Sequence, residues 1–93
     1  MYTEIFRLEE MLEKENIPFE FFDNGKSYQI CCPDSKDRYI SVIQGGGSYG
    51  QNLDKLEIMG LLTEEEMEDD TVLGYLTAEE VFKRIKKHLK EVK

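Results

Sequence analysis

Histidine occurs once, at His88, and cysteine only as the adjacent pair Cys31 and Cys32. A structural zinc site takes four ligands at characteristic spacing, and two thiols with one imidazole fall short of that set. No CxxC pair is present, and neighbouring strand residues point to opposite faces, so the two thiols are badly placed to bridge each other. They read as reduced, partly buried side chains, with no metal or cofactor implied. No apolar run approaches the roughly 18 residues of a membrane span. The opening segment "MYTEIFRLEEMLEKE" is acidic and amphipathic instead of basic and then apolar. A secretory signal is therefore not expected there, and a cytoplasmic location is.

What is present bounds the object further. The 93 residues are 40% hydrophobic and 34% charged, which suits one compact domain spanning 1–93. Residues 1–53 carry a net charge of −4, residues 54–80 carry −9, and residues 81–93 carry +5, within a total of −8. A chain this acidic repels a phosphate backbone as a whole, so nucleic acid is not the expected partner. The basic end belongs to one helix, where acids at the start and bases at the end suit the helix dipole. Nucleic-acid binding through that basic face is the weakest of the functional readings.

Ile5, Leu8, Met11 and Leu12 recur at helical spacing opposite Glu9, Glu10, Glu13 and Lys14, which predicts a helix over 3–15. Asn16 suits a left-handed C′ position, and Pro18 forbids continuation. Asn24-Gly25 between aromatic runs predicts a hairpin of strands 19–23 and 27–32, joined by a type I′ turn. "PDSKD" at 33–37 is a second turn, and "RYISVIQ" at 38–44 a third strand. Residues 56–62, "LEIMGLL", are short and apolar and fit strand or helix, with strand preferred.

"GLLTEEEM" (60–67) and "GYLTAEEV" (74–81) repeat one pattern fourteen residues apart. Each reads as a helix start, with Thr63 and Glu66, then Thr77 and Glu80, as capping boxes. Leu62 with Met67 and Leu76 with Val81 occupy hydrophobic-staple positions. The first helix is short and ends in "EDD"; the second runs to about residue 91, with Val81, Phe82, Ile85, Leu89 and Val92 on one face. The fold class is α+β: an N-terminal helix, a three-stranded antiparallel meander with room for a fourth strand, a short helix and a long C-terminal helix.

Gly45, Gly47 and Gly50 show the spacing G-x-G-x-x-G after a strand. A dinucleotide-binding unit would continue into a parallel, doubly wound sheet, whereas the preceding strands form an antiparallel meander and only 43 residues follow Gly50. The phosphate-loop pattern fails at Gln51 and Asn52, which stand where Lys and Ser/Thr should be. A nuclease of the PD-(D/E)xK kind would start at Pro33-Asp34 but lacks its later strand motif. Asp23, Asp34 and Asp37 all fall at turns, where Asp serves the backbone. No His–Cys or Ser–His pair is at hand for nucleophilic catalysis. An enzyme is not expected.

"GSYG", "LEIMGLLTEEE", "GYLTAEEVFKRIKKHL" and "IPFEFF…YQICCP" together resemble a group of small proteins of Clostridia-type bacteria and their phages or prophages. The resemblance covers nearly the whole chain. It implies a bacterial, mobile-element origin and a cytoplasmic setting, and it carries over no site residue. Two functional expectations follow from the residues. The first is a non-enzymatic protein-interaction module whose acidic Glu64, Glu65, Glu66, Glu68, Asp69 and Asp70 face a basic protein partner, such as one that handles nucleic acid. The alternative is a small-ligand or nucleotide-binding regulatory domain using Gly45, Gly47, Tyr49, Gly50 and Gln51. An exposed edge strand would also offer a route to a homo-oligomer.

Overall fold

The computed structural model describes residues 3–45, 54–69 and 71–91. In chain order these form α1 (Glu4–Lys14), β1 (Glu20–Asp23), β2 (Ser27–Cys32), β3 (Ile40–Gly45), β4 (Leu56–Met59), α2 (Glu64–Asp69), β5 (Val72–Leu76) and α3 (Ala78–Glu91). The strands make one antiparallel sheet in sequence order, β1-β2-β3-β4-β5. The chain is α+β as expected, with five strands where three and an optional fourth were expected.

Directly opposed residues of antiparallel strands share a face. Phe21, Ile30, Val42, Ile58 and Leu73 therefore form one row across all five strands. Against this face pack Ile5, Leu8 and Leu12 of α1 and Val81 and Ile85 of α3, all fully buried. The periodicity of both helices thus selects the side chains that meet the sheet. Truncating any of these to Ala removes contacts worth about 2–5 kcal/mol. Phe6, Phe21 and Tyr28 extend the core toward the β1 edge as a ring cluster with centroids 4.9–5.9 Å apart.

Several local expectations are met by specific bonds. Asn16 is left-handed at φ 56, with its N–H on the Glu13 carbonyl and the Ile17 N–H on the Leu12 carbonyl. That is the paired closure of a Schellman motif, and Ile17 and Leu12 both enter the core. The β1–β2 turn differs from the expected type I′ form. Gly25 takes a positive φ of 88, but Asn24 does not. The Asp23 side chain instead accepts the Gly25 N–H at 2.9 Å, so a side-chain-supported turn replaces the tight two-residue one.

β5 is the element the sequence pattern conceals. Leu56 pairs with Leu76 and Ile58 with Leu73, so two residues on β5 oppose one on β4. This bulge falls at Gly74-Tyr75, and Tyr75 is left-handed at φ 63 and exposed. A bulge puts Leu73 and Leu76 on one face three residues apart, a spacing that mimics a helix.

α1 and α3 run in the same direction. Near their starts, Glu4 accepts the Ala78 N–H at 2.9 Å and Arg7 bridges to Glu79 at 2.8 Å. Toward their ends, Lys86 reaches Glu15 at 2.7 Å. Among the described residues no helix is long and apolar enough to cross a membrane.

Candidate functional site

The acidic run starts where β4 turns into α2. Thr63 caps the helix, and both halves of the box form: the Thr63 N–H donates to Glu66 at 2.8 Å, and the Glu66 N–H donates to the Thr63 hydroxyl at 3.2 Å. The box at Thr77 and Glu80 forms likewise, at 3.0 and 3.2 Å. The repeated pattern is thus two well-capped helix starts.

Glu66 does more than cap. Its two carboxylate oxygens accept both terminal nitrogens of Arg84 on α3, at 2.8 and 2.7 Å. Arg84 also donates to the Leu61 carbonyl at 2.9 Å. The Arg84 hydrogen bonds, helped by the Thr63 N–H, hold the Glu66 carboxyl down at about 2. Bidentate pairing of this kind fixes orientation as well as adding energy. A helix of six residues has little stability of its own, and here it is tied to α3 by a planar clamp.

That clamp sorts the expected acidic set. Glu64, Glu65 and Glu68 are exposed, whereas Glu66 is half-buried and committed to Arg84. Asp69 closes α2, its side chain outside the described residues, and Asp70 also lies outside them. Met67, on the same short helix, is 52% exposed, so the staple expected between it and Leu62 leaves it uncovered. At the second helix start the equivalent pair, Leu76 and Val81, is buried in the core. The capping role of Glu66 was legible, since the third position of a capping box points back toward the cap, while its pairing with Arg84 was not.

The glycine loop gives a different outcome. Gly45 ends β3 with a positive φ of 92, while Gly47, Tyr49, Gly50 and Gln51 lie outside the described residues. The residues flanking the loop are tied to α1. Gln44, fully buried, accepts the Ile5 N–H at 3.0 Å and donates to Asp54 at 2.6 Å. Asp54 in turn accepts the N–H groups of Thr3 and Glu4 and the Thr3 hydroxyl. Burial pushes the Asp54 carboxyl up, but these hydrogen bonds outweigh it and hold it below its ordinary value. A carboxylate thus occupies the positive end of α1. Neither Gln44 nor Asp54 was singled out in the sequence, since their partners lie 39 and 51 residues away.

The thiols are free and fully buried. Cys32 faces the core, where burial pushes its thiol up to about 12. Cys31 belongs to the other sheet face, level with Ser41 across the ladder, with the Arg38 guanidinium 4.0 Å from its sulfur. Among the described residues no three His, Cys, Asp or Glu side chains group as metal ligands.

α3 presents its bases outward. Lys83, Lys86, Lys87 and Lys90 are exposed along it, and His88 stacks on Tyr39 with ring centroids 4.3 Å apart. Among the described residues, an open cleft flanks α3 toward α2 and another toward the turn after α1, and Lys87 borders both. Comparison with known protein families, with characterised proteins and with solved structures finds no match to this chain.

Proposed function

We propose that this chain is a small non-enzymatic interaction domain of the bacterial cytoplasm, presenting α2 to a basic surface on a protein partner. A surface shaped to hold phosphate, as on a nucleic-acid-handling enzyme or regulator, has the matching charge. One observation carries this reading: the Glu66–Arg84 clamp fixes α2 while Glu64, Glu65, Met67 and Glu68 stay exposed along it. An apolar centre with a charged border is the pattern of a protein-contact patch.

The test compares the wild-type chain with a Glu64→Gln, Glu65→Gln, Glu68→Gln variant. Both are used to capture proteins from bacterial lysate at low and moderate salt. A stoichiometric partner held by wild type, lost by the variant and weakened by salt is the expected result, followed by a titration with that partner purified. Identical capture by the two proteins would remove α2 as the contact surface.

A further inference from the structure

On the flank of α3 away from α2 lies the larger cleft, about 690 Å³ in volume. Ile17, Pro18 and Leu89 supply its apolar side, and Lys86, Lys87 and Lys90 its charged border. Its shape follows from the fold. The Schellman turn after α1 directs Ile17 inward and leaves Pro18 exposed, and α3 passes beside it, joined by the Lys86–Glu15 bridge at 2.7 Å.

We propose that this cleft receives α2 of a second copy of the chain, with Met67 on the apolar side and Glu64, Glu65 and Glu68 among the lysines. The proposal rests on the reading of α2 as a presented face and names one basic surface it fits. Three observations point to a second copy. Charge is the first. Asp54, Glu66 with Arg84, and Lys86 with Glu15 are already held within the molecule. Beyond these groups α2 exposes Glu64, Glu65 and Glu68 and the cleft edge exposes Lys87 and Lys90, so every molecule carries both members of a complementary pair. Fit is the second, because an exposed methionine on an acidic helix suits a cleft with an apolar side and lysines along its α3 edge, and methionine adapts readily to an irregular hollow.

The third is that the pair cannot close within one molecule. Arg84 holds α2 on one flank of α3, while the cleft lies on the other, toward Ile17 and Pro18. Contact between copies satisfies both surfaces. A reciprocal exchange closes as a two-fold dimer, and a one-way exchange extends the chain of copies. Nucleic acid is a poorer occupant, since the hollow is apolar, Glu15 stands on its border and the whole chain is at −8.

The like net charge of −8 on each copy and a small contact place this association in the weak, transient class. Sedimentation velocity of the full chain over concentrations up to about 1 mM reads it directly. The expected average mass rises with concentration at about 50 mM salt and returns toward the monomer at about 500 mM, as screening shortens from over 10 Å to a few Å. Lys87→Glu with Lys90→Glu, and separately Glu65→Lys with Glu68→Lys, each weaken association about tenfold or more. An equimolar mixture of the two variants restores it, because each then carries the charge the other lost. Met67→Ser also weakens association while leaving the thermal midpoint unchanged, an outcome that a purely structural Met67 would not give.

A mass independent of concentration overturns the proposal. So does restoration failing in the mixture, or a short DNA duplex binding in place of a second copy and being lost with Lys87 and Lys90. If the α2 variant loses association but the lysine variant keeps it, the cleft is the wrong receptor and the α2 reading stands. A strictly monomeric chain whose lysate partner still depends on Glu64, Glu65 and Glu68 separates the two in the same way.

Discussion

The Asp54 carboxylate accepts the backbone N–H of Thr3 at 2.8 Å, across 51 residues of chain. A helix start leaves its first N–H groups without partners within the helix, and the usual remedy is a Ser, Thr, Asp or Asn at the boundary itself. Thr3 stands at that boundary but makes no side-chain capping bond. Asp54 takes over the role, and Gln44 satisfies the Ile5 N–H as well. One network therefore joins the end of β3, the approach to β4 and the start of α1.

Asp54→Ala should cost about 2–3 kcal/mol, the sum of a lost cap and an abandoned buried amide on Gln44. Urea unfolding would measure it. Asp54→Asn should cost less, since it keeps an oxygen for the N–H groups. A change within about 0.5 kcal/mol of wild type for Asp54→Ala would show that the network contributes no net stability, and an equal loss in both variants would show that the oxygen kept by Asn does not replace the carboxylate.

Local chemistry made most of the fold legible. Thr63 with Glu66 and Thr77 with Glu80 are three residues apart, and their bonds depend on little beyond that spacing. The same holds for Asn16 and the Schellman closure. β5 escaped because its bulge spoils the two-residue alternation that marks a strand, and "TVLGYL" reads as a linker between two capped helices. The cap from Asp54 and the Glu66–Arg84 clamp escaped for another reason. They are agreements between distant segments, and no window of sequence contains both partners.

Glu66 should make stability depend on pH in a defined window. Its carboxyl sits at about 2 in the folded chain against an ordinary 4.5. A depressed carboxyl contributes stability in full above 4.5 and loses it as pH falls toward about 2, because the unfolded chain takes up the proton first. At neutral pH, Glu66→Gln should lower stability by about 1–2 kcal/mol through the weakened Arg84 pairing. Near pH 2 the gap between variant and wild type should close. Denaturant midpoints at both pH values decide it, and an equal gap at each would mean that the ion pair adds nothing beyond its neutral hydrogen bonds.

Two glycines at positive φ should respond differently to the same substitution. A Cβ on Gly60 would lie 2.4 Å from the Tyr39 carbonyl oxygen, at φ 103, with backbone and not a movable side chain in the way. Around Gly25, at φ 88, nothing lies within 4 Å. Gly25→Ala should therefore cost only the left-handed strain, about 1–2 kcal/mol. Gly60→Ala adds a collision between the β4–α2 turn and the start of β3, and should exceed about 3 kcal/mol or fail to fold. Thermal unfolding of the two variants side by side checks the order, and equal losses would remove the close approach at Gly60 as a constraint.

Reagent access should report the placement of the two thiols. Both are fully buried, and the Cys32 thiol is pushed up to about 12, chiefly by burial. The thiolate is the reacting species, so neither access nor ionisation favours Cys32 in the folded chain. A disulfide reagent at neutral pH should modify native Cys32 at least about a hundredfold more slowly than the urea-unfolded chain, at a rate set by structural opening. Asp54→Ala, which leaves both cysteines in place, should speed the modification about tenfold for each 1.4 kcal/mol of stability it removes wherever opening is global. Rapid modification of the native chain, traced by peptide mass to Cys32, would place that thiol outside the core and contradict its position opposite Ile40 at the end of the β2–β3 ladder.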